Sequence, residues 1–538
     1  MTTKITRRDA LKGLAVSAAA LTTMRVLPAS AQSVGGTLNV GLTYEIDTMN
    51  PYSTGFLGDA QATVLEGLLA PDENASYVPV LAKEVPTLEN GGITLNEDGS
   101  KMTITYHLRD DVKWHDGEPF TSADVKFTWE AVKNPDFIAE SKSGTEDIES
   151  IETPDDYTVI CHYNGLAPDF ASTLFTFGIL PKHHLEGVDL NTSDFNETPL
   201  GTGPFKVTDY QAGQYVVVER NELYWGRAEN GDQLPYIERI VFKMITDSNT
   251  LMTQLRSGEL NLVVQTPLAQ ASQVRDMNGL ELINAPLLAW HHLTFNFASK
   301  ASLQDVTVRR AIAHAMNRDP LIRTLGGFPS PIKSPVVPVF EFYDDTVPEY
   351  AFDVEAANKM LDDAGYARGG DGIREKDGER LSYNFMVQAG RADDENLQQV
   401  MMAQLQAIGI EAVPDNKTGV ALREARYNGD YDLYYGRWIT SADPDYSIFW
   451  GTDGAINGQG YSNPELDAVF TELQNTLDKT KRYELFSKMQ HIIVDDLPSL
   501  PLLLLTAAIA KTTELNNFVP NPTNMTNFVH TGEWYLKS

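Results

Sequence analysis

The sequence predicts an α/β protein built from more than one lobe. Three observations carry that expectation. Strand-like and helix-like segments alternate along the chain, the 42% hydrophobic share is that of a globular protein, and 538 residues exceed what one core usually serves. The single cysteine, Cys161, cannot close an internal disulfide, so packed cores must supply the stability. Lys+Arg 42 against Asp+Glu 74 leaves a net charge of -32, which repels nucleic-acid phosphates and anionic lipid and excludes nucleic acid as a partner. The acidity serves solubility, or the steering of cationic ligands.

The N-terminus reads as an address. "TRRDALKG" places Arg7 and Arg8 before a mildly apolar run from Leu14 to Leu21, and "LPASAQ" sets Ala29 and Ala31 at A-x-A spacing. The pattern resembles a twin-arginine export signal cleaved after Ala31, with Ala10 where a Phe often stands; a retained cytosolic N-terminus is the alternative. The removed piece holds Lys4, Arg7, Arg8, Lys12 and Arg25 against Asp9, so the mature chain is more acidic still. No Cys follows the apolar run and no later segment offers about 20 apolar residues, which argues against lipidation or a membrane span. The expectation is a soluble, monomeric periplasmic protein.

From Gly36, "GTLNVGLTYEIDTMNPY" reads as a strand ending in a turn at Asn50-Pro51, followed by a helix with Ala62, Leu65 and Leu69 on one face. Residues 102–109 alternate Met102, Ile104, Tyr106 and Leu108 against polar neighbours, the period of a half-buried strand, and "YTVICHY" around Cys161 alternates likewise. The next stretch, "LRDDVKWHDGEPFTSADVKF", crowds acidic residues around His115. In "HDGEP" Gly117 suits a positive φ and Asp116 can bond its own backbone; Thr121 and Asp124 stand at capping-box spacing before a helix with Val125, Trp129 and Val132 inward. Each polar residue thus has a structural role, and no nearby nucleophile supports catalysis by His115 and Asp116.

Further on, "GTGPF" marks a close approach before the Val216–Val218 strand, and Tyr224-Trp225 is an aromatic pair of core type. Asp305 caps a helix with Val308, Ile312 and Ala315 inward. Asp319-Pro320 opens another, and Asp353 a third with Ala357, Met360 and Leu361 inward and Gly365 as terminator. Residues 367–380, rich in Gly and Asp, read as an exposed hairpin or loop.

"YHLRDDVKWHDGEPFTSADVKFTWE" resembles the signature of the family 5 extracellular solute-binding proteins, the dipeptide- and oligopeptide-binding components of ABC importers. Segments in the family's order run the length of the chain, among them "ILPKHHLEG", "PLGTGPFKVTDYQAGQYVVVERNELYW", "LQDVTVRRAIAHAMNRDPLI" and "YDLYYGRWITSADPDYSIFW". The resemblance implies a periplasmic-binding-protein type II-like fold: residues 36–55, 190–285 and 500–538 as a discontinuous first lobe, 56–189 as an inserted small domain, and 286–499 as a second lobe. Two such lobes close over a ligand at their seam and hand it to a membrane permease.

The same resemblance implies the site. The strand at Arg437, Trp438 and Ile439 would pair with a peptide backbone. Relatives that grip a free amine carry Asp three residues after the Trp; here that residue is Ser441, with Asp443 and Asp445 beyond. Either Asp443 takes the amine, or the ligand lacks one and is a sugar, opine, metal chelate or other small polar solute; Asp443 is otherwise a turn residue before Pro444. In "AWHHLTFNF", Trp290, His292, Thr294 and Asn296 share one strand face and are expected toward the cleft, with His291, Leu293, Phe295 and Phe297 on the core side. The family places a contact at Thr294. The loop Tyr52, Thr54, Gly55 and Phe56 is a third lining.

Enzymatic alternatives fare worse. His291-His292 neighbours point to opposite strand faces, which disfavours a metal pair, and His183-His184 belongs to a scaffold motif. Asp443 and Asp445 as glycosidase carboxylates compete with an ordinary Asp-Pro-Asp turn. No G-x-S-x-G, H-E-x-x-H, P-loop, Rossmann triplet or C-x-x-C is present, and no cofactor is expected. A periplasmic hydrolase on this scaffold and a chemosensory binding protein remain the alternatives to a transport receptor.

Overall fold

Two long antiparallel strands organise a ten-stranded mixed sheet in the computed structural model, which describes residues 35–54, 58–523 and 527–537. The expected export signal, Gly55 and Phe56 lie outside these residues. In chain order the strands are β1 (Thr37–Leu42), β2 (Phe205–Gln211), β3 (Tyr215–Arg220), β4 (Arg239–Met244), β5 (Leu262–Val263), β6 (Leu280–Phe295), β7 (Ser382–Met386), β8 (Glu411–Pro414), β9 (Leu433–Ile439) and β10 (Ser499–Thr512). Their order across the sheet is β8-β7-β9-β6-β10-β5-β1-β4-β3-β2.

The long members, β6 and β10, carry both halves. Leu280–Pro286 pairs with Thr506–Thr512, the register shifts between Pro286 and Trp290, and Trp290–Thr294 then pairs with Leu504–Ser499. At the shift the Leu288 N–H goes to Pro522 O instead, at 2.8 Å. Beyond the break β6 also takes β9 as a neighbour. Such a bulge bends a strand and re-aims its side chains.

Residues 93–163 form a separate four-stranded antiparallel sheet, ordered Ile93–Leu95, Met102–His107, Thr158–Tyr163, Ile148–Asp155. Met102, Ile104, Tyr106 and Cys161 are buried as the alternation predicts, and burial pushes the Cys161 thiol up, so it stays protonated. The helix Ser122–Lys133 begins with the expected capping box between Thr121 and Asp124. Val125 and Val132 are buried, while Trp129 sits half-buried with Nε1 donating to Thr145 O.

Three other expectations change. Residues 61–69 are not a helix: a single 3-10 turn, Gln61–Thr63, leads into a short strand at Leu69. Ala62, Leu65 and Leu69 are still buried, because Leu68 N bonds Phe175 O and Val80 N bonds Leu68 O, so the backbone finds its partners in distant segments. The helix at Pro320 spans Arg318–Thr324 and is capped two residues earlier, by Asn317 accepting from Asp319 N at 3.0 Å. The run 367–380 folds as a small three-stranded sheet pinned by the buried Arg374, which donates to Asp362, Tyr366 O and Ile408 O. Asp305 and Asp353 cap their helices as predicted.

The apolar interior divides in keeping with the sheet. One cluster joins β1, β3 and β4 to the four-stranded sheet through Trp114, Phe195 and Phe242. A second lies under Leu293, Phe295 and Leu433 and the helices Val306–Ala315 and Ala392–Ala407. A third surrounds Trp290, Trp438 and Trp450 with the helices Pro464–Gln474 and Lys479–Asp496. Each large side chain buried in these clusters contributes roughly 1.5–3 kcal/mol. All described residues belong to one compact unit, and no helix among them is long and apolar enough to cross a membrane.

His115 ties the acidic stretch after the strand Met102–His107 to the glycine segment at Gly201 and Gly203. Its Nδ1 accepts from Gly201 N at 3.3 Å and its Nε2 faces Gly203 O at 3.1 Å, so the ring is neutral with the proton on Nε2. Gly201 is obligatory there, since a Cβ would lie 1.9 Å from Val64 O. Gly117 takes φ 98, and Asp116 accepts from Glu118 N while meeting His183 Nε2 at 2.9 Å. The acidic stretch is a folded corner. Burial pushes the His115 pKa down to about 4 from its usual value near 6.5. A base with a depressed native pKa stabilises the fold above its unfolded pKa, and that stability fades as pH falls from about 6.5 toward 4. His115→Ala should therefore lower unfolding free energy by about 1–3 kcal/mol at pH 7, with the deficit shrinking toward pH 4, as read by urea unfolding across pH.

Candidate functional site

A cavity of about 620 Å³ opens where the two halves of the sheet meet, a size suited to a small ligand. Thr43, Thr246, Ser248, Gln265–Leu268 and Leu505–Ala508 line it from the first half. Leu287 and His291 of β6, the segment from Gln388 to Asp394, Leu422 and Arg426 of the helix Gly419–Asn428, and Tyr434–Arg437 and Ile439 of β9 line it from the second. The chain reaches the site by long-range topology, since the wall residues span the sequence from 43 to 508.

The backbone of β9 shapes one wall. β7 pairs only with Leu433 and Tyr434, whereas β6 pairs with β9 along Leu433–Ile439. Thr440 N donates to Leu288 O, which fixes the alternation: even-numbered residues of β9 turn their amides to β6, odd-numbered ones outward. The N–H and C=O groups of Tyr435, Arg437 and Ile439 thus form an edge with no strand partner among the described residues, beside the cavity.

The charges in this cavity run against the rest of the chain. Arg391, Arg426 and Arg437 face Asp393 and Asp394, a cationic excess in a protein of net charge -32. Arg437 Nη2 is joined to Asp394 Oδ1, and Arg391 Nε approaches the other oxygen at 3.9 Å. Burial, with Arg391 repelling, pushes Arg437 down to about 10, and its guanidinium stays charged at neutral pH. Burial also pushes His291 down to about 3, with Arg437 and Arg391 acting in the same direction. The imidazole is neutral, its Nδ1 2.7 Å from the Tyr435 hydroxyl and its ring stacked on Tyr435.

The strand residues expected at the cleft lie elsewhere. Trp290, His292, Thr294 and Asn296 do share a face, but it is turned into the aromatic core: His292 stacks on Trp438 at 3.8 Å and Trp290 meets Trp438, Tyr446, Phe449 and Trp450. Thr294 hydroxyl reaches only His292 Nδ1, at 2.8 Å, and Asn296 Nδ2 donates to Gly429 O and Tyr431 O at 2.7 Å each. β6 is buried on both faces from Leu287 onward, so polarity does not mark the cleft side. The cavity takes His291, which was assigned to the core. Trp438 likewise belongs to the aromatic core, while Arg437 and Ile439 do line the cavity.

Tyr52 is also a scaffold residue: fully buried, it donates to Gly178 O at 2.7 Å and Leu174 O at 3.2 Å. Thr54 borders a separate cavity of about 290 Å³ with Tyr44–Thr48 and Asp59. Asp443 and Asp445 line a third space, of about 280 Å³, with Asp147, Asp169 and Arg482. Asp443 is bound to Arg482 at 2.6 Å, which supplies its counter-charge. Burial still pushes its carboxyl up to about 7 against that pull. Ser441 Oγ donates to Asp443 O, and Asp445 accepts from Ser447 N at the start of the turn Ser447–Trp450. Among the described residues no cluster of His, Cys, Asp and Glu could hold a metal ion.

Sequence reasoning missed Leu287, Arg391, Asp393, Asp394 and Arg426, which stand in no motif. Asp394 is the residue on which this wall hinges. Removing one member of a buried ion pair costs about 3–5 kcal/mol, so Asp394→Ala should lower stability by that amount in urea unfolding, and Asp394→Leu with Arg437→Met should restore most of it.

Residues 76–459 match the sequence pattern of the middle region of bacterial extracellular solute-binding proteins, family 5. The chain is 29% identical over 485 residues to the oligopeptide-binding protein AppA of Bacillus subtilis, covering 86% of this chain and 85% of that one. It is 26% identical over 489 residues to the glutathione-binding protein GsiB of Salmonella paratyphi A, with 88% and 89% covered. Among solved structures it superposes on Bacillus subtilis AppA in complex with a nonapeptide with TM-score 0.72 and 25% identity, covering 94% of this chain and 100% of that one. The ABC transporter substrate-binding protein CtaP of Listeria monocytogenes gives TM-score 0.80 at 25% identity, again with 94% and 100% covered. The fold is that of the type II periplasmic binding proteins.

Proposed function

Because the chain belongs to the family 5 bacterial extracellular solute-binding proteins, its role is that of the solute-binding component of an ABC importer, and we propose that it takes a peptide-like solute into the 620 Å³ cleft and releases it unaltered. The observation that carries this reading is the outward edge of β9. Its Tyr435, Arg437 and Ile439 amides and carbonyls offer an extended ligand backbone the hydrogen bonds of an added strand, beside a wall of side-chain pockets. The oligopeptide, nonapeptide and glutathione in the names of its relatives support a peptide.

The division into lobes, 36–55 with 190–285 and 500–538 against 286–499, with 56–189 inserted, is part of the proposal. It is supported by the sheet, in which, among the described residues, the only strands common to both halves are β6 and β10. A hinge in these two strands near the Pro286–Trp290 break would let the halves close, and a ligand bound at micromolar strength releases about 8 kcal/mol, enough to shift such an equilibrium. Delivery to the membrane permease and export to the periplasm through the twin-arginine-type signal, cleaved near Ala31, complete the reading, with the protein acting as a monomer and without catalysis.

Calorimetry of the mature chain with di- to pentapeptides tests this directly. Saturable binding with a raised melting midpoint is expected, and no response to any peptide would sink the peptide reading. Replacing Ile439 by Pro removes one outward N–H at an exposed position, 46% accessible. Ile439→Pro should weaken peptide binding about three- to tenfold, in line with one net hydrogen bond, while Ile439→Ala, which keeps the N–H, should bind like the parent.

A further inference from the structure

We propose that the inserted segment 56–189 works as a proton-sensitive strap across the molecule: its Asp147 and Asp169 face Asp443 and Asp445 of the second half, and loss of charge between the two faces draws the halves together. The inference rests on the closing motion of the solute-binding reading above and adds a control on that motion. Asp147 and Leu166–Asp169 form one wall of the 280 Å³ space, and Asp443–Tyr446, Phe470 and Arg482 stand in the other. Four aspartates and one arginine line it, and that arginine is held at 2.6 Å by Asp443 of its own half. Asp445 also keeps its partners on its own side, Ser447 N at 2.8 Å and Gln474 Nε2 at 3.3 Å. Asp147 and Asp169 therefore meet carboxyl groups across the space, not a free cation.

The inserted segment moves with the first half, since its four-stranded sheet shares an apolar cluster with β1, β3 and β4. A hairpin of Leu69–Pro71 and Tyr77–Pro79 reaches across the seam. Ala75 at its tip, held at φ 59, joins the cluster around Trp290 and Trp450, and Tyr77 packs against both clusters. Asn521 Nδ2 donates to Pro71 O at 2.8 Å, and the neighbouring Pro522 O accepts from Leu288 N at the break in β6, which ties the hairpin to the hinge. Asp443 is faced by Arg482 of the helix Lys479–Asp496, by Asp169, by Glu341 and by the Tyr77 phenol. Asp169 is faced by Asp147, Asp445, Arg482, Tyr77 and Tyr163. Burial, opposed by Arg482 and helped by Asp169 and Glu341, sets the Asp443 carboxyl at about 7. Burial, then the charges of Asp147 and Asp445, hold Asp169 above the usual carboxylate range. Drawing the faces apart returns these groups to water and to ordinary values near 4, so closing binds protons. Closure thus carries no charge penalty below about pH 4 and its full penalty above about pH 7.

Cysteines placed at the exposed Ser143 and Glu472, on opposite sides of the seam, take spin labels, while the buried Cys161 does not. Pulsed electron spin resonance on the ligand-free mature protein should show the shorter label distance gaining population as pH falls from 8 to 5. Asp169→Asn should hold that short population already at pH 8, and Asp147→Asn, at an exposed position, should shift it part of the way. Glu146→Gln, outside this space, should respond to pH like the parent. A distance distribution indifferent to pH, or a pH response that survives in both aspartate variants, overturns the inference. Calorimetry with Ala-Ala-Ala gives a second readout: affinity should fall at least about threefold from pH 5.5 to 7.5 in the parent and stay level in Asp169→Asn. Level binding in the parent overturns the strap and leaves the peptide reading standing. Should no peptide bind, the peptide reading fails, and the label distances decide the strap on their own.

Discussion

The pairing of β6 with β10 is the constraint on which the rest of the molecule depends. Each strand is long enough to serve both halves of the sheet, and each is paired on either side of the Pro286–Trp290 break. The break matters as much as the pairing. An uninterrupted ladder would fix the halves as one slab; the bulge instead leaves a short unladdered stretch where Leu288 bonds the C-terminal segment and Thr440. The cavity lies beside this stretch, lined by Leu287 and His291 from the strand itself.

Around that constraint, buried polar groups hold the segments in register. His115 joins the 115–117 corner to Gly201 and Gly203, and Glu66 accepts from Thr202, Tyr224 and Trp225. Burial pushes Glu66 up to about 7 despite these three donors, so part of the first half is built on a carboxyl that desolvation disfavours in its charged form. Such groups are costly to orphan, which makes them effective at specifying one arrangement. Electrostatics then distinguish the cavities: the 620 Å³ cleft gathers arginines, whereas the space between 147–169 and 443–486 gathers aspartates around Arg482.

Much of the scaffold was legible in the sequence because its signals are local. The strand at 102–107, the capping box at Thr121 and Asp124, the caps at Asp305 and Asp353 and the glycine approach at Gly201 each follow from neighbours within a few residues. Where local periodicity competed with distant partners it failed. Residues 61–69 carry a helical spacing, yet Leu68 N donates to Phe175 O and Leu68 O accepts from Val80 N, and the apolar residues are buried without a helix.

The site was legible only at Arg437 and Ile439. Alternation put Trp290, His292, Thr294 and Asn296 on one face correctly, but strand period cannot say what lies against a face, and here the facing layer is Trp438, Phe449 and Trp450. By itself the sequence determined the family-like order of motifs, the α/β class and the caps that start individual helices, all short-range properties of the chain. Only the tertiary structure decided which wall faces the cleft, that Asp443 is held by Arg482, and that Arg391 and Arg426 line one cavity, because those outcomes depend on how remote segments stack and on which charges share a space once water is excluded.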